Sequence, residues 1–134
     1  MDFDKIKNVA VVGISGNKER ASYQVAKYLQ EEGFRIIPVN PTLEEVLGER
    51  CFPEVAAIPQ EISVDVVDIF RRPDAVPSIV EQAISRKAAF IWMQEGVIHE
   101  EAAEKARRAG VEVIMDKCIK KEHIKLKGGR QVGI

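Results

Sequence analysis

The stretch Val9-Ala10-Val11-Val12-Gly13-Ile14-Ser15-Gly16-Asn17-Lys18-Glu19-Arg20 is an unbroken apolar run that gives way to a turn of small and polar residues. Such a run predicts a strand buried on both faces, and strands of that kind belong to parallel sheets covered by helices. The turn predicts a phosphate cradle. Gly13, Ser15 and Gly16 let backbone amides come close to a ligand, and a helix beginning after Arg20 adds unpaired N–H groups and the positive end of its dipole.

The same alternation of apolar runs and helix-period segments continues outward from that stretch. A helix is predicted from about Ser22 to Glu32, with Val25, Ala26 and Leu29 on one face and Gly33 as its stop. A second strand covers Arg35 to Val39 and ends at Asn40-Pro41, a pair that turns the chain away from helix. The connection through Leu47, Gly48, Cys51 and Phe52 reads as a hairpin-like excursion. Val64 to Phe70 is a third strand interrupted by Asp65 and Asp68, closed by Arg71-Arg72-Pro73 and followed by a helix striped with Val76, Ile79, Val80, Ala83 and Ile84. Ala88 to Met93 is a fourth strand. Gln94-Glu95-Gly96 follows it, then a helix from His99 to Ala109 capped by Gly110. Val111 to Met115 is the fifth, leading through Asp116-Lys117-Cys118 to a last short helix.

Strands and helices in this order predict an α/β fold: a Rossmann-like, doubly wound, mainly parallel five-stranded sheet in a three-layer α/β/α sandwich, as a single domain over residues 1–126. Residues 127–134, with Gly128, Gly129 and Gly133, are expected to form a loose tail. In a doubly wound sheet the ligand crevice lies beyond the carboxyl ends of the strands. The turn at Gly13 to Arg20, Asn40-Pro41, Arg71-Arg72 and Gln94-Glu95-Gly96 all follow strands, so they are expected to line one cleft.

Composition narrows the partners. The chain has 134 residues, a net charge of -1 and a pI near 6.2, without the basic face that nucleic-acid binding needs. No run of about 18 apolar residues marks a membrane span, and Met1-Asp2-Phe3-Asp4-Lys5 is not a signal peptide, so a soluble, cytoplasmic protein is expected. Cys51 and Cys118 stand far apart, which predicts reduced thiols and no cysteine metal site. His99, at the start of a helix, reads as a cap or a solvated side chain. His123, in the charged run from Lys120 to Lys125, reads as solvated. Trp92 reads as core, and no residue is singled out as catalytic.

The first turn departs from the dinucleotide fingerprint G-x-G-x-x-G, and strand two ends in Val39-Asn40-Pro41 where a ribose-binding acid is expected. It is no Walker loop either, since no Gly-Lys-Ser/Thr closes it. What remains is a phosphate site with Lys18, Arg20, Arg71 and Arg72 as candidate cations, suited to a ligand with several phosphates. An NAD(P)-dependent reductase on this fold is the competing reading.

The string Val11-Val12-Gly13-Ile14-Ser15-Gly16-Asn17-Lys18-Glu19-Arg20, with Pro38-Val39-Asn40-Pro41, Leu47-Gly48, Val67-Asp68-Ile69-Phe70-Arg71-Arg72-Pro73, Ile91-Trp92-Met93-Gln94-Glu95-Gly96 and Met115-Asp116-Lys117-Cys118, resembles the small stand-alone coenzyme A-binding proteins. These are similar to the N-terminal domain of the succinyl-CoA synthetase α-subunit. The resemblance runs from about residue 6 to residue 126. It implies coenzyme A or an acyl-CoA as ligand. By the same resemblance Ser15, Gly16, Asn17 and Lys18 form the phosphate turn that Gly13 and Ile14 open, with Arg20 and Ser22 close by. Asn40 and Pro41 form one wall; Phe70, Arg71 and Arg72, then Met93, Gln94 and Glu95, touch the coenzyme. The histidine that the synthetase phosphorylates lies in another domain, so a non-catalytic binding, carrier or regulatory module is expected. An interaction subunit of a synthetase-like complex, or a homo-oligomer, is the alternative assembly. Cys118, near the rim of the cleft, is a candidate for a mixed disulfide with the coenzyme thiol.

Overall fold

The structure, a computed structural model, describes residues 1–132. Its elements are β1 (Asn8–Val12), α1 (Ala21–Glu31), β2 (Arg35–Val39), β3 (Glu45–Val46), β4 (Glu49–Arg50), β5 (Val66–Ile69), α2 (Val76–Ser85), β6 (Phe90–Met93), α3 (Glu100–Arg108), β7 (Glu112–Ile114) and α4 (Ile119–Val132). Five strands form one parallel sheet in the order β2-β1-β5-β6-β7, and β3 and β4 pair antiparallel as a separate hairpin. The expected doubly wound sandwich is therefore observed, with the hairpin as its excursion.

The central strands β1, β5 and β6 are largely apolar because each is covered on both faces. Ala10, Val12, Val67, Ile69, Ile91 and Met93 pack with α2 and α3 on one side. Val9, Val11, Val66 and Trp92 pack with α1 and the start of α4 on the other. Trp92 is 2% exposed and donates its indole N–H to the Lys117 carbonyl at 2.8 Å, so its one polar atom is satisfied inside the core. Pro38 sits in β2, the edge strand, where a missing N–H is tolerated. Its carbonyl accepts from the Phe52 amide at 3.0 Å, and the chain after the hairpin thereby covers the sheet edge.

Register brings the carboxyl ends of the central strands level. Val12 pairs with Val39 on one side and Ile69 on the other, and Ile69 pairs with Met93. The chain winds away from β1 in both directions, so the crevice that a doubly wound sheet leaves at its switch point opens between the ends of β1 and β5.

Three expectations are corrected. Residues 127–132 continue α4 rather than trailing as a loose tail, and residues 133 and 134 lie outside the described residues. Lys127 pairs with Glu32, which caps the C-terminus of α1, and that bond, more than the charge around it, holds the Glu32 carboxyl below its ordinary range. His123 is 8% exposed, not solvated. Its Nδ1 lies 2.6 Å from the Tyr28 hydroxyl, and the rings of Phe3, Phe34 and Tyr28 pack edge-on around it. The charged run misleads because His123 lies one turn on from the buried Ile119, on the side of α4 that faces the core. The third, fourth and fifth strands are also shorter than their apolar runs. Asp65, just ahead of β5, uses its carboxylate to accept from the Lys7 and Asn8 amides at 3.0 and 2.9 Å, tying the start of β1 to the start of β5.

Candidate functional site

Gly13 leaves β1 at φ 88°, a left-handed conformation that side chains rarely adopt. A Cβ there would lie 2.3 Å from the Phe70 carbonyl oxygen and 2.8 Å from Cδ of Arg71. The turn after β1 and the turn after β5 can pass this closely only because residue 13 has no side chain. Gly16 is different. Its φ is ordinary, and a Cβ would meet only Leu43 at 3.7 Å, a normal contact, so nothing in the fold requires glycine there.

The turn is held open by its own polar side chains. The Ser15 amide donates to Oγ of Ser22 at 3.0 Å, the Asn17 amide to Oγ of Ser15, and the Glu19 amide to Oδ1 of Asn17, each also at 3.0 Å. Asn40, at the end of β2, donates from Nδ2 to the Ile14 carbonyl at 2.8 Å and accepts on Oδ1 from the amide and hydroxyl of Thr42. No side chain caps the first turn of α1. Among the described residues the amides of Gly16, Ala21 and Ser22 meet no acceptor. They border an open cavity of about 440 Å3 that is also lined by Gly13, Ile14, Ser15, Arg20, Asn40, Thr42, Leu43 and Phe70.

Ala21 and Phe70 also line a neighbouring cavity of about 430 Å3, together with Arg71, Arg72, Gln94, Glu95 and Cys118. Arg71 reaches a third, of about 250 Å3, which Pro41 borders on the α2 side of the sheet. Arg20 and Arg71 make no ion pair among the described residues, whereas Arg72 lies 3.8 Å from Asp74 and Glu95 is bound to Lys121 at 3.1 Å. Two guanidinium groups without an ion pair among the described residues and an uncapped helix N-terminus give the cleft a positive electrostatic character.

The structure thus brings together Gly13, Ile14, Ser15, Gly16, Arg20, Ser22, Asn40 and Phe70 around one cavity and Arg71, Arg72, Gln94 and Glu95 around the neighbouring one, while Pro41 lies with Arg71 at the third. Asn17 and Lys18 stand exposed on the turn but line none of these cavities. Met93 is placed elsewhere: it is fully buried among the α2 and α3 residues, and only its carbonyl, which accepts from the Lys117 amide, reaches the end of the strand. Gln94, the first residue past the strand, faces the cleft layer, and its side-chain oxygen accepts from the Ile119 amide at 3.2 Å. Ala21, Thr42 and Leu43 line the first cavity without having been singled out. Small or apolar, they carry no chemical signature in the sequence.

Other titratable groups have fold roles. His99 caps α3, its Nδ1 accepting from the Ala102 amide at 3.0 Å. Burial pushes the Cys51 thiol up, opposed by its bond to the Asn40 carbonyl. Among the described residues no group of His, Cys, Asp and Glu is placed to hold a metal ion, and no helix is long and apolar enough to cross a membrane.

Comparison with known proteins places this geometry in a family. A model described as a CoA binding domain matches residues 7–124. The uncharacterized protein YneT of Bacillus subtilis is 40% identical over 117 residues, covering 87% of this chain and 85% of its own length. A hypothetical protein of Pyrococcus horikoshii superposes with a TM-score of 0.88 at 41% identity, over 92% of this chain and 85% of that one. The ADP-forming acetate–CoA ligase of Methanocaldococcus jannaschii is 26% identical over 122 residues, which is 84% of this chain but 17% of the ligase. With a match that runs from the start of β1 into α4, this chain belongs to the CoA-binding domain family.

Proposed function

We infer that this protein binds coenzyme A or an acyl-CoA, with the ligand's phosphates at the turn between β1 and α1, as a binding, carrier or regulatory module without a reaction of its own. The observation that carries this reading is the uncapped N-terminus of α1, whose unpaired amides border an open cavity beside Arg20. Gly16 supports it, since a residue with no folding reason to be glycine is explained by a ligand that approaches its backbone closely. Arg71 and Arg72 supply further positive charge for a ligand that carries a diphosphate and a 3'-phosphate.

The competing nicotinamide reading is weakened by Asn40. Both ends of its side chain are engaged within the protein, so the end of β2 offers no free acceptor for a ribose hydroxyl. Neither histidine is available to the cleft, one being a helix cap and the other packed beneath α1.

Isothermal calorimetry with coenzyme A tests the reading. Saturable binding, weaker for dephospho-coenzyme A, is expected; no heat at millimolar ligand overturns it. The match to 17% of a ligase favours one further possibility, that the module works beside separately encoded synthetase-like partners. Co-purification of such a partner from the native host is the outcome expected of that arrangement, and recovery of the chain alone removes it.

A further inference from the structure

The two edges of the parallel sheet differ. Along β2, Pro38 removes one outward-facing N–H, and its carbonyl is taken by the Phe52 amide. β7 has no such cover. The Glu112 amide donates to the Ala89 carbonyl at 3.2 Å, so Glu112 and Ile114 spend their backbone groups on β6, and Val113 between them points its N–H and C=O away from the sheet. Among the described residues that N–H meets no acceptor, and the carbonyl has only a long contact, 3.4 Å, from the Arg107 guanidinium. The side chains are left open as well. Val113, Ile114 and Met115 are only partly buried at the rims of the two cores, whereas the apolar residues of β1 and β5 are buried throughout.

The helix beside this edge carries charges that complement themselves. Away from the edge they are satisfied within the chain: Lys105 pairs with Glu81 of α2, and Arg108 with Glu104. Glu100 and Arg107 stand seven residues apart, so two turns of α3 place them on one stripe. Because Arg107 reaches the Val113 carbonyl, that stripe lies along the β7 edge. Both side chains are exposed, and neither has an ion pair among the described residues.

We propose that the β7 edge joins two copies of this chain about a two-fold axis at Val113, fusing their parallel sheets into one through an antiparallel seam. In that pairing the Val113 N–H and C=O of each copy bond to those of the other, and Met115 of each lies across from Val111 of the other. The register is set by charge. Sliding by two residues one way puts Glu112 against Glu112, and the other way puts it against Asp116, whereas the Val113 register sets it beside Ile114. The Val111 amide bonds to the Ala106 carbonyl near the end of α3. Val113 lies about 6.6 Å further along the strand, the rise of about four helical residues, so the axis passes the middle of α3. The two copies of α3 then run antiparallel, and Glu100 of each meets Arg107 of the other. An edge that answers itself in both backbone and charge takes a second copy as its occupant. The cleft opens between β1 and β5, away from this seam, so the inference stands apart from the coenzyme reading.

Sedimentation equilibrium from micromolar to submillimolar protein tests this. Wild type is expected to associate to twice its 15.0 kDa mass. Val113→Pro, which copies the device at Pro38 and removes an N–H that the fold does not use, is expected to be monomeric with its circular dichroism unchanged. Glu100→Arg and Arg107→Glu, each alone, are expected to raise the dimer dissociation constant about tenfold. Mixing those two variants is expected to restore wild-type association, because each then meets an opposite charge across the axis. A wild type that stays monomeric throughout, its edge left to solvent or to a different protein, overturns the proposal, as does a dimer that survives in folded Val113→Pro. If Val113→Pro loses its fold, the charge variants decide alone: association unaltered by either substitution, or no recovery on mixing, overturns it.

Discussion

Asn40 donates to the Ile14 carbonyl across 2.8 Å, and through that one bond the end of β2 holds the turn that follows β1. Because its Oδ1 is occupied by Thr42, the amide acts as a brace between two loops that both line the cavity. Asn40→Ala leaves the Ile14 carbonyl and the Thr42 amide without their partner. A destabilisation of roughly 1–3 kcal/mol is expected by urea denaturation, together with weaker coenzyme A binding. Unaltered affinity in a folded Asn40→Ala protein would show that the turn keeps its shape unaided.

The two glycines of the turn separate folding from binding. Gly13→Ala forces a Cβ toward the Phe70 carbonyl oxygen at a positive φ, and a loss of about 2 kcal/mol or more is expected in thermal unfolding. Gly16→Ala meets only an ordinary contact with Leu43 and is expected to change stability by no more than about 0.5 kcal/mol. Its effect falls on the ligand instead, with coenzyme A affinity reduced about tenfold by the added methyl between backbone and phosphate. Calorimetry and unfolding on the same pair of variants check both halves.

That contrast also marks how far the sequence could be read. Strand identity was legible at Val9 to Val12 and Arg35 to Val39 because burial on both faces leaves no polar alternation. Gly13 was legible as a turn, but the reason it must be glycine is the Phe70 carbonyl, a contact between residues 57 positions apart that no local pattern encodes. His123 was misread for the same kind of reason: its neighbours in sequence are charged, while its neighbours in space are Phe3, Tyr28 and Phe34. Met93 and Gln94 are adjacent in a motif yet point to opposite layers, as strand alternation dictates.

Arg71 is exposed, makes no ion pair among the described residues, and extends its stem across the glycine turn. Its removal is expected to cost little stability and much affinity. Arg71→Ala should weaken coenzyme A binding by about ten- to a hundredfold, the worth of a charge-assisted hydrogen bond to phosphate, and should flatten the dependence of affinity on salt. Arg72→Ala is expected to do less, because Arg72 already faces Asp74. Equal losses for the two variants in calorimetry at low and high salt would contradict this division of labour.

Asp68 makes stability depend on pH in the direction opposite to most carboxylates. Complete burial without a hydrogen-bond partner pushes its pKa well above the ordinary range, so the folded protein holds a proton there that the unfolded chain has already released. Between the two values the native state binds more protons, and stability falls as pH rises, by at most about 1.4 kcal/mol per pH unit from this group. Glu32 and Glu81 act in the other sense, since their lysine partners hold them below the usual range and their contribution is lost on acidification. Comparing wild type with Asp68→Asn isolates the buried acid, because the amide keeps the shape and cannot ionise. The stability difference in favour of Asp68→Asn is expected to be small near pH 4 and to grow as pH rises, levelling off once the native Asp68 ionises. A difference that stays constant from pH 4 to pH 9 in urea titrations would mean that Asp68 is ionised in the fold and that a donor reaches it.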